Sequence, residues 1–339
     1  MAQRLQLLQQ WLADDLGLSG FDIEPASADA SFRRYFRIRF DSESRIVMDA
    51  PPDKEDIHPF VRIGKQLHSI GLNVPEILAE NFSQGFLLLG DLGSRQYLDA
   101  LNAGNVDQLY GDAMAALATL QAHGPGADAL PPYDRELLWR EMELFRDWLL
   151  HKHLAIDLDA SVLTLLNETF ALLADNALEQ PAVSVHRDYH SRNLMVCEHN
   201  PGILDFQDAV YGPLTYDLVS LLRDCYIAWP REQVEKWALA YHDLALERGI
   251  LHERQEERFL RWFDLMGVQR HLKASGIFAR LNHRDGKPGY LNDIPRTLGY
   301  VVEVSARYPE LRSFQQLLEE QVLPALEASL AGDKIKAKG

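Results

Sequence analysis

Leu5, Leu8, Leu12 and Leu16 recur at three- and four-residue spacing in a polar background, which predicts an amphipathic helix ended by Gly17. Strand-like runs follow at 21–24, 35–40 and 45–49. Phe60, Ile63, Leu67 and Ile70 share one face, so a helix is expected over 55–69, broken by Gly71 and Pro75. Residues 77–79 and the apolar run 86–89 read as two further strands, the second entering Gly90-Asp91-Leu92-Gly93. Helical spacing then dominates, over 106–122, 135–150, 160–178, 234–248, 256–278 and 314–331. Between the third and fourth of these helices, two short apolar runs flank Asn200-Pro201-Gly202, and residues 193–206 predict a β-hairpin. The order implies an α+β, bilobal plan: a small antiparallel-sheet N-lobe (1–91), a larger, mostly helical C-lobe (92–339), and a site in the cleft.

A hairpin brings its ends together. Asn193 enters this one and Asp205 leaves it, so an amide oxygen and a carboxylate are expected side by side, close to Asp188 in the preceding polar loop. Hard oxygen donors suit a cation that keeps part of its water shell, and magnesium carrying a nucleotide is the usual case. Asp188 is then left to accept a hydroxyl proton. His186, His190 and His199 lack the fourth ligand and spacing of a zinc site.

Charge narrows the partners. Fifty acidic against 34 basic residues give a formal net charge of −16, a surface that repels nucleic acid and anionic membranes. Two cysteines, Cys197 and Cys225, show no metal spacing and point to a reducing compartment. Residues 1–17 lack the layout of a signal peptide, and no apolar run reaches membrane-spanning length. A soluble, cytoplasmic protein acting on a small molecule is expected, with no obligate protein partner. The 339 residues suffice for two lobes with separate cores.

His186-Arg187-Asp188 with Asn193, followed by Asp205-Phe206, has the order H-x-D-x-x-x-x-N then D-F. Together with Tyr211-Gly212-Pro213-Leu214-Thr215-Tyr216-Asp217-Leu218, it resembles the aminoglycoside-phosphotransferase and choline-kinase branch of the protein-kinase-like fold. The resemblance implies ATP and Mg2+ as cofactors, Asp188 as catalytic base, and Asn193 and Asp205 as metal ligands. It implies that His186, Asp208 and Asp217 support the catalytic loop, although Asp217 alone also reads as a helix N-cap. Loop 26–34 would lie over the phosphates, with Ser31 and Arg33 as contacts, and Leu89 and Asp91 would hold the adenine at the hinge. Glu55 or Asp56 would supply the helix glutamate of such kinases. The third strand departs from the pattern. It carries no lysine, which leaves Arg33, Arg34, Arg45 and Lys54 as alternatives for the phosphate clamp.

Arg270, His271, Lys273, Arg280, His283 and Arg284 form the one local concentration of basic groups, suited to a substrate carboxylate, with Trp148, Trp262 and Phe278 as an apolar wall. The alternative is a solvated helix face with the aromatics in the core. Segments 141–148, 205–209 and 269–281 resemble bacterial anomeric kinases of N-acetylmuramate and N-acetylglucosamine. That implies ATP-dependent phosphorylation of the C1 hydroxyl of these amino sugars, giving sugar 1-phosphates in cell-wall recycling. Substrate contacts are then expected at Trp148, Arg270, His271, Lys273 and Phe278. Two readings stand beside it: a kinase of another small alcohol, such as choline, homoserine or an aminoglycoside, and an inactive nucleotide-binding scaffold.

Overall fold

The computed structural model describes residues 2–28, 32–40 and 43–336. The chain divides into two compact units, Met1–Asn105 with Arg192–Asp208, and Val106–Ser191 with Ala209–Gly339.

The first unit is built on a five-stranded antiparallel sheet of β1 (Asp22–Ala28), β2 (Arg34–Phe40), β3 (Glu43–Asp49), β4 (Ile77–Asn81) and β5 (Phe86–Gly90), in the order β1-β2-β3-β5-β4. The first helix, Ala2–Gln10, continues as a wider turn over Trp11–Asp15. Its Leu8, Trp11 and Leu12 pack with Ile38, Val47, Phe86 and Leu88 of the sheet, so the leucine stripe meets the alternating apolar strand positions. The helix expected from residue 55 starts three residues later, at His58–Ser69. Pro59 explains the shift, because proline is tolerated only in a first turn. Gly85 is obligatory in the β4–β5 turn: its φ is +70°, and a Cβ there would lie 1.8 Å from the Ala50 carbonyl oxygen.

The predicted hairpin is present as β6 (Ala182–Val185) gives way to the loop ahead of β7 (Leu194–Met195), which pairs with β8 (Gly202–Ile203). β7 and β8 group with the first unit, which also extends to Asn105, a different division from one at residue 91. Backbone bonds explain it: Val196 N–H donates to Arg95 O and Ile203 N–H to Asn73 O, each at 2.8 Å. Phe206 also packs on Phe60, ring centroids 4.8 Å apart.

The second unit is helical apart from β6, which pairs antiparallel with β9 (Val210–Pro213). Its axis is the Glu256–Asp285 helix, seven residues longer than its apolar spacing predicts and buried over most of its length. The Arg135–Leu144 helix and its continuation Phe145–His153 pack closely on it. Gly276 permits that approach, since a Cβ there would meet the Leu144 carbonyl carbon at 2.2 Å. Among the described residues no helix is long and apolar enough to cross a membrane.

Candidate active site

The loop that follows β6 begins His186-Arg187-Asp188, and its backbone is fixed from several sides. Asp217, fully buried in the first turn of the Tyr216–Leu222 helix, accepts the N–H groups of His186 at 2.6 Å and Arg187 at 2.9 Å. Thr215, not Asp217, occupies the N-cap of that helix. Tyr189 donates its hydroxyl to Ala113 O at 2.8 Å, and Ser191 donates its N–H to the Asp224 carboxylate at 2.9 Å. Arg187 sits at φ +77°, left-handed backbone that costs a non-glycine residue about 1–3 kcal/mol and persists only when its surroundings impose it.

Those surroundings centre on Glu141. This carboxylate, 5% exposed, receives the Arg187 guanidinium, the Lys273 ammonium at 2.9 Å and the Tyr133 hydroxyl. Lys273 also donates to the Tyr216 hydroxyl at 2.9 Å. Burial pushes the Asp188 carboxyl up, but Lys273, His190, Arg270 and Arg187 outweigh it and hold it below the ordinary carboxylate range. Asp217 goes the other way. Its burial, offset only partly by the two N–H donors and reinforced by the Asp188 charge, raises it to about 7. Neighbouring carboxyls are thus driven apart, with Asp188 as the anion.

In the first unit, the Leu204 N–H closes on Asn193 O at 2.9 Å, which sets the open end of the hairpin. Asn193 Nδ2 lies 3.4 Å from Asp205 Oδ2, and Asp205 Oδ1 accepts from Gln207 Nε2 at 2.8 Å. Arg33 Nη2 approaches the same Oδ1 at 3.5 Å. Asp205 has φ +62°, a second left-handed residue, which turns its carboxylate back towards Asn193. With the Asn193 amide turned from its Nδ2 contact so that its oxygen faces the same way as the Asp205 carboxylate, the pair offers donors that fit a hard divalent cation completed by water and phosphate oxygens. Asp208 is exposed at the next turn and touches Gln207 Nε2 at 3.3 Å.

The candidates for the phosphate clamp separate clearly. Arg34 is paired with the buried Asp49, Arg45 with Glu43 at 2.7 Å, and Lys54 is exposed beside Asp53 at 3.8 Å. Arg33, whose side chain is 11% exposed, is the one of the four that reaches Asp205. Ser31 lies outside the described residues. Leu89 is buried between β3 and β4, and the Asp91 carboxylate is held by Arg37 at 2.6 Å and by the Gly93 N–H at 2.9 Å. Any contact of Leu89 or Asp91 with adenine therefore falls to backbone. Neither Glu55 nor Asp56 lies in a helix: Glu55 accepts the Phe32 N–H at 3.1 Å and Asp56 the His58 N–H at 2.9 Å.

The basic segment divides: His283 and Arg284 are exposed, whereas its first three members are buried. Arg270 and Lys273 are buried and oriented into the network around Asp188. His271 is corrected as a substrate contact: its ring is 1% exposed, bonds to Arg223 O at 2.8 Å and stacks on Tyr300. Burial and the Arg270 charge lower it to about 3, so it is neutral. Phe278 is buried and stacked on Tyr290, and Trp148 is half-buried. Arg270 Nε and Arg280 Nε are buried without a hydrogen-bond partner among the described residues. Glu141 escaped sequence reasoning, yet a signal exists: it falls on the apolar stripe of Leu138, Met142 and Phe145, where an acid needs a buried partner.

The model of the phosphotransferase enzyme family matches residues 22–265. The chain is 50% identical over 297 residues to an N-acetylmuramate/N-acetylglucosamine kinase of Pseudomonas aeruginosa, covering 88% of both chains. It is 47% identical to the kinase of that name in Pseudomonas putida, covering 94% of this chain and 96% of the relative. Among solved structures, an ethanolamine kinase of Plasmodium vivax superposes with TM-score 0.63 at 11% identity, covering 91% of this chain and 90% of that one. A choline kinase of Streptococcus pneumoniae gives 0.60 at 12% identity, with 88% and 99% covered. The fold is accordingly protein-kinase-like.

Proposed function

Since the chain belongs to the phosphotransferase enzyme family, we infer that it is an ATP-dependent kinase of N-acetylmuramate and N-acetylglucosamine, and that it phosphorylates the C1 hydroxyl. The products are sugar 1-phosphates, as cell-wall recycling requires. The observation that carries this reading most is the half-buried, anionic Asp188 on a loop whose backbone Asp217 holds.

The reaction is an in-line displacement. The C1 oxygen forms a bond to the γ-phosphorus, the bond from that phosphorus to the β–γ bridging oxygen breaks, and ADP leaves with the electron pair. Asp188 orients the acceptor hydroxyl and takes its proton. A carboxylate held below its ordinary range is a weak base, so it accepts the proton late, when the oxygen–phosphorus bond is largely formed. The anomeric hydroxyl, more acidic than an ordinary alcohol, eases that step.

Asn193 and Asp205 are the residues to hold Mg2+, which when bound neutralises charge on the β- and γ-phosphates. Asp208 and His186 support the loop and the metal side. Residues 1–91 cover the nucleotide, with Arg33 over the phosphates and the backbone near Leu89 and Asp91 beside adenine. Arg270 retains an uncommitted buried donor in Nε and offers it to the acceptor, while Trp148 and Phe278 supply apolar surface and Lys273 acts through its charge. The cytoplasm is the compartment where ATP is available.

The test is an ATP assay with the two sugars side by side, with phosphorus NMR to locate the phosphate. Sugar-dependent ADP release with the signal of an anomeric phosphate is expected. Phosphate on another hydroxyl, or ADP release only with an amino alcohol, would reject the reading.

A further inference from the structure

Buried, convergent charge is costly unless every member is paired, so a carboxylate that gathers two cations and a phenol beside a catalytic loop calls for an explanation. Glu141 is such a group. Its Oε1 lies 2.9 Å from Lys273 Nζ and also receives Arg187, while Oε2 accepts the Tyr133 hydroxyl. Arg187 is the residue immediately before Asp188, its φ is +77°, and its guanidinium lies over the Tyr133 ring at 5.9 Å from the centroid. Gln269 Nε2 reaches the Tyr133 hydroxyl at 3.4 Å, so the central helix also bears on the cluster.

We propose that Glu141 is a positioning residue for the phosphoryl transfer: by clamping Arg187 and Lys273 at fixed places it sets the backbone ahead of Asp188 and the charge that Asp188 feels. The proposal rests on the reading of Asp188 as the base. The geometry explains why an arginine is held in left-handed backbone at this point. The Asp217 carboxylate ties its N–H and Glu141 ties its guanidinium, so both ends of the residue are fixed and the next side chain has one orientation. It also explains why Lys273 is buried: between Glu141 and the Tyr216 hydroxyl its ammonium cannot swing away.

Among the described residues, the groups facing Asp188 include Lys273 and Arg270 from the central helix, His190 and Arg187 from its own loop, and Asp217 from the following helix. Those facing Glu141 are Lys273, Arg187 and Tyr133. Glu141 partly offsets the two cations that it holds. Glu141→Gln leaves their charge uncompensated, which disfavours the protonated form of Asp188 and weakens it as a base. The loss belongs to the chemical step, because nothing in the cluster is assigned to the nucleotide.

The experiment measures kcat and KM for both sugars across pH in four proteins. Wild type and Asp188→Asn come first, and an active Asp188→Asn would sink the underlying reading itself. In Glu141→Gln, kcat is expected to fall at least tenfold, with KM for ATP within twofold and the acid limb of the kcat profile moved to lower pH. Glu141→Gln/Lys273→Met removes opposite charges together and guards against misfolding of the single variant. It also loses the cation that acts most strongly on Asp188, so its acid limb moves to higher pH. Opposite displacements support the positioning role. Wild-type kcat and acid limbs in whichever variants fold, with only the melting temperature lowered, would overturn it and leave Glu141 a purely structural group.

Discussion

At the scale of single residues, Arg33 is the residue we propose for the phosphate clamp. Arg34, Arg45 and Lys54 are drawn to Asp49, Glu43 and Asp53, whereas Arg33 is oriented to the carboxylate that the proposed metal site uses. An arginine here presents donors to phosphate oxygens and keeps its charge at any working pH. Charge-assisted bonds of this kind contribute about 1.5–3 kcal/mol, so Arg33→Met should weaken ATP and ADP binding about tenfold or more. Adenosine, which has no phosphate, should bind the variant as it binds the parent. Calorimetric titration in the presence of EDTA reads this without turnover and without the metal, and equal losses for ATP and adenosine would assign Arg33 to the base or to folding. The left-handed φ of Arg187 was invisible in the sequence, where an arginine gives no sign of it, whereas Asp205 belongs to a residue type that visits this region occasionally. The approach of Asn193 to Asp205 was legible because the hairpin that joins them is local.

At the scale of elements, the Glu256–Asp285 helix organises the second unit. Positions 270, 273, 277, 280 and 284 fall on one stripe, which places Arg280 two turns beyond Lys273. Arg280 is half-buried with an unpartnered Nε, and burial together with the Arg284 charge lowers its pKa, the condition of a guanidinium that gains from an anion. N-acetylmuramate carries a lactyl carboxylate and N-acetylglucosamine does not. Arg280→Met should therefore raise KM for the first about tenfold, a loss of one charge-assisted bond, and leave the second within twofold. Parallel steady-state kinetics decide it, since an equal change for both sugars would remove Arg280 from carboxylate recognition. The same helix depends on Gly276: an alanine Cβ would collide with the Leu144 carbonyl and force the two helices apart. Such overpacking costs about 1–3 kcal/mol, and a melting temperature unchanged in Gly276→Ala would contradict the close approach. Hydrophobic spacing revealed both helices but not this crossing, nor the β6–β9 pair, because spacing reports a face and not its partner. Proline chemistry at residue 59, read with more weight, would have corrected the start of the His58–Ser69 helix.

For the whole molecule, the response to pH brings the buried groups into one balance. Between about pH 4.5 and 6.5 the carboxylates held low, Asp188 and Glu141 among them, stay ionised in the folded chain, and in the unfolded chain they begin to protonate only towards the lower end. Two buried groups with displaced titrations act in opposite senses there. His271 has a folded pKa of about 3 against an ordinary 6.5, so the unfolded chain binds the proton first. Its contribution is present above 6.5 and is lost as pH falls towards 3. Asp217 has a folded pKa of about 7 against an ordinary 3.8, so the folded chain binds the proton first. Its contribution is complete below 3.8 and is lost as pH rises through 7. The two slopes are each at most about 1.4 kcal/mol per pH unit and largely cancel, which predicts a flat stability profile from this pair. His271→Gln removes one side of the balance, since its amide keeps a donor for Arg223 O and does not titrate. Relative to wild type, that variant should gain stability as pH falls from 6.5 to 4.5, by about 2 kcal/mol across the window. Urea unfolding at several pH values measures the difference directly. The net charge of −16 and its self-repulsion are shared by both proteins and drop out of the comparison. A constant gap between the two curves would mean that His271 is protonated in the folded protein, and the buried neutral ring against Tyr300 would have to be given up.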